Sequence, residues 1–293
     1  MVGGRIVVRG VPYQIERSIG HGLHSLVYGA RDPHTGRPVA IKIINFDHGS
    51  HDVKAHTESR RQSYWKEINI LLHLQPLNPY IVRVLNHDYN NRRGIIVMER
   101  GTTVRDTITR HMLSKTPMPP SVVHRFWTQM VEAIYYLHRA GFVHGDIKPE
   151  NFIQVGPDGT SLRLIDMGIS FHLPPNVTSR LKTGVGTPDY VAPEMVCSGS
   201  GFGSHSRCGY SADVWALGVI LFEMTYGYRP LQKMRDNTAK FKFLNRLRQR
   251  EIPIPRHPDM NLRNVLGRCL TSNRRRRLTV QQLLKHPYFT EEF

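Results

Sequence analysis

His144-Gly145-Asp146-Ile147-Lys148-Pro149-Glu150-Asn151 sets a carboxylate, an ammonium and an amide on one short, proline-stiffened stretch. Transfer of a phosphoryl group needs a carboxylate to receive a hydroxyl proton, a cation beside the moving group and a ligand for a metal, all held on one rigid loop. Asp146, Lys148 and Asn151 supply these in order. Downstream, past a hairpin signal at Gly156-Pro157-Asp158-Gly159, Asp166-Met167-Gly168 offers a second carboxylate suited to a phosphate-bridging magnesium ion.

Upstream, Gly20-His21-Gly22-Leu23-His24-Ser25-Leu26-Val27 brings glycines whose missing side chains let backbone amides approach phosphates. No GxxxxGK[ST] phosphate loop occurs in the chain. A dinucleotide fingerprint would open a helix, whereas here a strand and the turn 32–38 lead to Val39-Ala40-Ile41-Lys42. A glycine-rich hairpin followed by a lysine on the next strand resembles the protein kinase arrangement, in which that lysine pairs with the α- and β-phosphates. Glu67, on the helix that follows, is placed to hold the ammonium of Lys42; Trp65, Ile68, Leu71 and Leu72 beside it fix the helix against the sheet, which argues against a mere surface glutamate.

Alternation predicts strands over 13–20, 26–32, 39–45, 81–88 and 94–99, with a helix over 59–74. Beyond Glu99 the period becomes helical, most clearly over 121–139, where Phe126, Trp127, Met130, Val131, Ile134 and Leu137 recur after Pro119-Pro120. Further helices fit 211–226, 240–248, 261–270 and 279–285, and the glycine- and serine-rich stretch 197–209 is expected as a flexible surface loop. An α+β fold of two lobes follows: a tail over 1–12, a small antiparallel β lobe with one helix over 13–98, a hinge at 99–101 and a larger, mainly helical lobe over 102–293.

Composition bounds the rest. Of 293 residues, 40% are hydrophobic, enough for a real core. Three cysteines at no metal-ligand spacing suggest neither a disulfide framework nor a zinc site, and no apolar run reaches membrane-spanning length, so a soluble, intracellular protein is expected. A net charge of +17 favours acidic partners, but Arg274-Arg275-Arg276-Arg277 lacks interleaved aromatics and reads as a solvated basic face with room for one buried structural arginine, not as a nucleic-acid site. His48, His51 and His56 lack a complete metal-ligand set, and His144 reads as a packed core residue.

The kinase resemblance runs from Tyr13 to Phe289 and adds Ala192-Pro193-Glu194. It implies ATP and Mg2+, with Asn151 and Asp166 on the metal and Asp146, Lys148, Lys42 and Glu67 in catalysis. The nucleotide would lie under Gly20, Gly22 and Val27, its adenine on the backbone of Glu99 to Gly101, with Met98 behind it and Ala40 and Ile153 around the ring. Asp213 resembles the aspartate that braces the catalytic loop, and Arg277 the arginine that pairs with Glu194. Lys148 two residues after Asp146, together with Gly186-Thr187-Pro188-Asp189-Tyr190, resembles serine/threonine kinases.

Ser63-Tyr64-Trp65-Lys66-Glu67-Ile68, Ile96-Val97-Met98-Glu99-Arg100-Gly101 and Leu164-Ile165-Asp166-Met167-Gly168-Ile169 are similar to the monopolar spindle kinases, dual-specificity mitotic checkpoint enzymes. That resemblance implies protein substrates and a nuclear or kinetochore location; with no membrane-spanning run no membrane partner is expected, and self-association for autophosphorylation in trans is the simplest activator. The resemblance also implies a long regulatory region before the domain; either this is a relative recruited otherwise or an excised domain. Gly145 stands where an arginine is usual in protein kinases, before the catalytic aspartate, and Met167 where a phenylalanine is usual, after the metal-binding one. Thr178, Ser179 and Thr183 are candidate phosphosites in a segment, 171–186, expected to be mobile until phosphorylated, with Thr187 also a candidate but better read as a docking residue near Asp146. Lacking the usual arginine, a phosphate there would need Arg60, Arg61, Lys66, Arg180 or Lys182 as its cation. A pseudokinase scaffold would have lost Lys42, Asp146, Asn151 or Asp166, and a small-molecule or lipid kinase would lack the Gly186 to Glu194 docking segment. Another serine/threonine signalling kinase is the remaining alternative.

Overall fold

The computed structural model describes residues 3–22, 25–46, 53–182, 186–196, 206–234, 236–247 and 251–290. The smaller lobe holds β1 (Arg5–Val8), β2 (Val11–His21), β3 (Ser25–Arg31), β4 (Pro38–Asn45), α1 (Val53–Leu74), β5 (Val84–Tyr89) and β6 (Arg93–Glu99). The strands form one antiparallel sheet in the order β1-β2-β3-β4-β6-β5. Alternation explains what each face meets. Val39, Ile41, Ile43, Ile95 and Val97 join Ile6, Val8, Tyr13 and Ile15 in a cluster on one face, while Ala40, Ile44, Ile96 and Met98 turn to the main core and α1.

Two corrections concern this lobe. Residues 1–12, expected as a tail, contribute β1, because Ile6 and Val8 alternate inward and cover the outer face of the sheet. The strand expected over 81–88 begins only at Val84; Ile81 instead bridges in parallel to Leu164 of the other lobe. On α1 the buried stripe is Tyr64, Ile68, Leu71 and Leu74, whereas Trp65 and Leu72 are exposed. Each such buried aliphatic side chain stabilises by roughly 1.5–3 kcal/mol.

The larger lobe follows with β7 (Thr102–Thr103), α2 (Val104–Leu113), α3 (Pro120–Arg139), β8 (Phe142–Val143), β9 (Phe152–Val155), β10 (Ser161–Leu164), β11 (Phe171–His172), β12 (Ser179–Lys182), β13 (Ser206–Gly209), α4 (Tyr210–Tyr226), α5 (Asn237–Arg246) and α6 (Met260–Cys269). The result is a two-lobed α+β fold. Helix α3 starts at a proline in its first turn, where a missing N–H costs nothing, and buries Phe126, Trp127, Met130, Val131 and Ile134. It packs on α4, where the Trp127 indole donates to Leu217 O at 3.1 Å. Apolar almost all round, α4 is the lobe's central rod, buried from Ala212 to Met224. It stops at Gly227, whose φ of +75° is a left-handed cap. Among the described residues no helix is long and apolar enough to cross a membrane.

Candidate active site

The stretch 144–151 is held by α4. Asp213 is buried, and its two carboxylate oxygens accept the backbone N–H of His144 and of Gly145, each at 2.9 Å, while His138 Nε2 lies 2.9 Å from Oδ2. Burial alone would raise the Asp213 carboxyl, but His138 and the backbone donors outweigh it and hold the group below its ordinary value. Gly145 sits at φ +78°, a left-handed conformation natural to glycine. His144 is fully buried, its Nδ1 accepting from Asp146 N, in agreement with a packed core residue.

Around Asp146 the geometry is complete. Lys148 Nζ donates to Asp146 Oδ2 at 2.6 Å and to Thr187 Oγ1 at 3.0 Å; the Thr187 hydroxyl and amide donate to Asp146 Oδ1 at 2.8 and 2.9 Å. Thr187 therefore joins the acceptor end of the cleft. Asn151 spends its amide nitrogen on Asp146 O at 2.8 Å, so its carbonyl oxygen is the atom left to offer a metal.

The small lobe delivers the second half. Lys42 Nζ donates to Glu67 Oε1 at 2.6 Å and to Asp166 Oδ1 at 3.2 Å, joining β4, α1 and the segment after β10. Burial works against the Lys42 charge, yet the two carboxylates hold its pKa well above the usual range. For Glu67 burial is the larger influence and pushes the carboxyl up against the pull of Lys42. Asp166 goes the other way, held at about 2 chiefly by the Lys42 charge. Since that folded value is depressed, its contribution to stability is present above the ordinary 3.8 and lost as the pH falls through about 2. Met167 is buried in the main core, where an unbranched thioether fills an apolar slot.

Strand register brings the expected nucleotide residues together. Gly20 pairs with Val27, Val27 with Lys42, and Ala40 with Met98. Ala40, Met98 and Ile153 share the main core, with Val27 packed against it. A Cβ at Gly101 would lie 2.1 Å from Gln154 O, so the backbone after Glu99 runs directly against β9. Leu23 and His24, at the tip of the glycine-rich hairpin, lie outside the described residues. Enlarging Ala40 is the sharpest probe of this slot. Ala40→Phe is expected to bind no ATP at concentrations that saturate the parent, with the circular dichroism spectrum unchanged; isothermal titration at equal protein concentration checks it.

In the segment after Asp166, β11 pairs with β8 and β12 pairs with β13, and the stretch 197–209, expected as a surface loop, ends in a paired strand. Residues 197–205, Thr183, His48 and His51 lie outside the described residues. Thr178 is exposed, whereas Ser179 is buried. Of the cations expected to receive a phosphate, Arg60 donates to Phe46 O at 3.1 Å, Arg61 to Asn91 O at 3.0 Å and Lys66 to Gly168 O at 3.4 Å, the Arg180 guanidinium stacks 4.0 Å from the Phe171 ring centroid, and the side chain of Lys182 lies outside the described residues. The guanidinium groups that do reach Ser179 Oγ are Arg274, at 2.9 Å, and Arg207, at 3.4 Å.

Sequence reasoning also passed over Arg105. Its guanidinium bonds Glu150 Oε1 at 2.8 Å, Glu223 Oε1 and Oε2 at 2.9 and 3.1 Å, and the Tyr190 hydroxyl, tying α2 to the catalytic loop and to α4. The expected buried arginine of the 274–277 run is Arg277: Nη1 and Nη2 meet Glu194 Oε1 and Oε2 at 2.7 and 3.0 Å, and Nη1 also donates to Ser211 O at 2.7 Å.

This cleft has what phosphoryl transfer from a nucleotide needs: a lysine held by two carboxylates, a carboxylate beside an acceptor-side hydroxyl, and hard oxygen donors on Asn151 and Asp166 that suit magnesium. Comparison with known proteins agrees with it. The family described as "Protein kinase domain" matches residues 13–289. The "Dual specificity protein kinase Ttk" of Danio rerio is 35% identical over 285 residues, 97% of this chain and 28% of that protein. The "Dual specificity protein kinase TTK" of Mus musculus is 34% identical over 288 residues, 97% of this chain and 32% of that protein. An "Aurora kinase" of Schizosaccharomyces pombe is 30% identical over 279 residues, 95% of this chain and 72% of that protein. The chain thus spans less than a third of the length of the first two.

Proposed function

The chain belongs to the protein kinase family, and from that membership we propose that it transfers the γ-phosphate of ATP to serine and threonine hydroxyls of proteins, with tyrosine as a further acceptor, in a mitotic spindle checkpoint. The observation that carries the enzymatic part is the meeting of Lys42 with Glu67 and Asp166, residues 25 and 124 positions away in the chain. A scaffold has no need to hold an ammonium between two carboxylates, one of which, Glu67, is buried.

In this reading Val27, Ala40, Met98 and Ile153 enclose the adenine, the backbone of Glu99 to Gly101 hydrogen-bonds its edge, and Gly20 and Gly22 admit the phosphates under β2 and β3. Lys42 holds the α- and β-phosphates and Glu67 holds Lys42. Asn151 and Asp166 would hold magnesium, which neutralises phosphate charge. Asp146 orients the acceptor hydroxyl and receives its proton, and Lys148 stays beside the transferring group. The hinge at 99–101 divides the lobes.

The checkpoint role is supported by the two dual-specificity relatives, and a nuclear or kinetochore location follows from it. The similar match to an Aurora kinase favours, as a second reading, a serine/threonine kinase outside the checkpoint family. Replacing the gene product with Asp146→Asn and scoring arrest under spindle poison separates the two: arrest is lost in the first reading and kept in the second. Self-association would let one copy phosphorylate another at Thr178, the exposed candidate among the described residues; Ser179 becomes reachable only if β12 leaves β13.

A further inference from the structure

Arg100, in the hinge, reaches 84 positions back along the chain to β2, where its Nη1 donates to Glu16 Oε2 at 2.5 Å. Arg31 Nε meets the other oxygen of that carboxylate at 2.9 Å. Alternation puts the Arg100 guanidinium on the nucleotide side of the sheet. Tyr28 and Ala30 belong to the outer cluster, so Gly29 between them faces the other way, alongside its cross-strand partner Ala40. A Cβ at Gly29 would lie 2.7 Å from Arg100 Nη1 and 2.8 Å from Cζ, so the guanidinium fills the volume that a side chain at 29 would take. Glu16 meets it there because β2 is bulged: Ile15 pairs with Ala30 and Arg17 with Gly29, which leaves Glu16 as the extra, unpaired residue. A bulge re-aims a side chain, and this one is aimed at the hinge cation.

The contact sits at the base end of the slot. Gly29 and Ala40 share one rung of the β3–β4 ladder, while Val27 and Lys42, at the phosphate end, share another. Side-chain exposures of 19% for Arg100 and 29% for Glu16 keep the pair partly sheltered from water, against 62% for Arg31. The hydrogen bond from Arg100 is the chief cause that holds the Glu16 carboxyl below its ordinary value. The hinge end is itself seated on the larger lobe, since the backbone at Gly101 runs directly against Gln154 of β9. The pair therefore joins β2, which continues into the glycine-rich hairpin, to a fixed base.

We propose that Arg100 and Glu16, meeting through the gap at Gly29, clasp β2 to the hinge and set the height of the small-lobe strands over the adenine, making the pair a determinant of nucleotide affinity. This rests on the kinase reading and on its placement of the nucleotide. Both are positioning residues: their side chains act through β2, not on the transferring group.

The test uses the full chain, γ-labelled ATP, magnesium and a generic protein acceptor, with adenosine as a competitor that carries no phosphate. Arg100→Gln and Glu16→Gln are each expected to raise the KM for ATP roughly three- to tenfold with kcat within about twofold, because binding at the base end is shared by ground and transition states. The inhibition constant of adenosine should rise by the same factor, since a displaced roof weakens base binding whether or not phosphates follow. The double variant should bind ATP no more weakly than the weaker single variant, as for two groups that act as one. Gly29→Ala keeps both charges but puts a methyl in the guanidinium's place, and should raise the same KM; Arg31→Ala should leave it within about twofold of the parent. A parental ATP KM in Arg100→Gln or Gly29→Ala overturns the proposal and leaves the kinase reading intact. So does a rise in Arg31→Ala equal to that in Arg100→Gln, or an adenosine constant that stays parental while the KM for ATP rises, which would make Arg100 a distant charge acting on the phosphates. A parent that neither binds ATP nor transfers phosphate overturns the kinase reading and the proposal with it.

Discussion

Asp166→Asn is expected to lower phosphoryl transfer by at least roughly 10²–10³-fold, the scale of removing one preorganised electrostatic contact at a transition state. The carboxylate both faces Lys42 and is proposed as the magnesium ligand, and an amide keeps the shape while losing the charge. Lys42→Met should be comparably inactive for the complementary reason. Without its ammonium, Glu67 and Asp166 face each other across the cleft with nothing between them, and Asp166 loses the charge that holds its carboxyl at about 2. Its pKa should then rise toward the ordinary carboxylate range. Initial rates and a nuclear magnetic resonance titration of labelled aspartate check the two halves separately; near-parental rates in both variants would contradict the assigned roles.

Arg277→Met is expected to have the largest effect on stability, roughly 3–5 kcal/mol, because it leaves the Glu194 carboxylate without its cation in a largely buried place. Glu194 keeps one bond, from the Ser211 hydroxyl at 3.1 Å. The carbonyls of Ser211 and Thr271 lose their donors as well, and the guanidinium stacked near Trp215 is gone. For a chain of this size the loss corresponds to a fall in Tm on the order of 10 °C. Replacing both partners, as Glu194→Met with Arg277→Met, should recover part of it, since a buried pair costs most when only one member is removed. Differential scanning calorimetry of the two variants decides this.

Much of this was legible in the residues because the chemistry is carried by contiguous stretches. Asp146, Lys148 and Asn151 share one loop, and Lys42 falls on a strand whose alternation is plain. Helices α3 and α4 announce themselves by period and by proline and glycine at their ends. Helix α2 was missed although its signal was present: Thr103 and Asp106 form a capping box at its start. β1 and β13 could not be read locally. Each is four residues long and exists through a partner strand. Trp65 and Leu72 looked like core by composition, but the helical stripe through Ile68 leaves them outside. Arginines were hardest, since a guanidinium can reach in any direction. Arg274 and Arg277 lie in one basic run, yet one reaches across to Ser179 and the other is buried under Glu194. Arg105 gave no sign in sequence of the two glutamates, 45 and 118 residues away, that it joins.

The enzymatic claim stands or falls on one assay. Parental protein and Asp146→Asn are incubated with γ-labelled ATP, magnesium and a generic protein acceptor, and the acceptor is hydrolysed to identify the labelled amino acid. Transfer by the parent to serine and threonine, lost in Asp146→Asn, is the result that the geometry at Lys42, Asp146 and Asp166 requires. No label on the acceptor from either protein, or equal labelling by both, would contradict it.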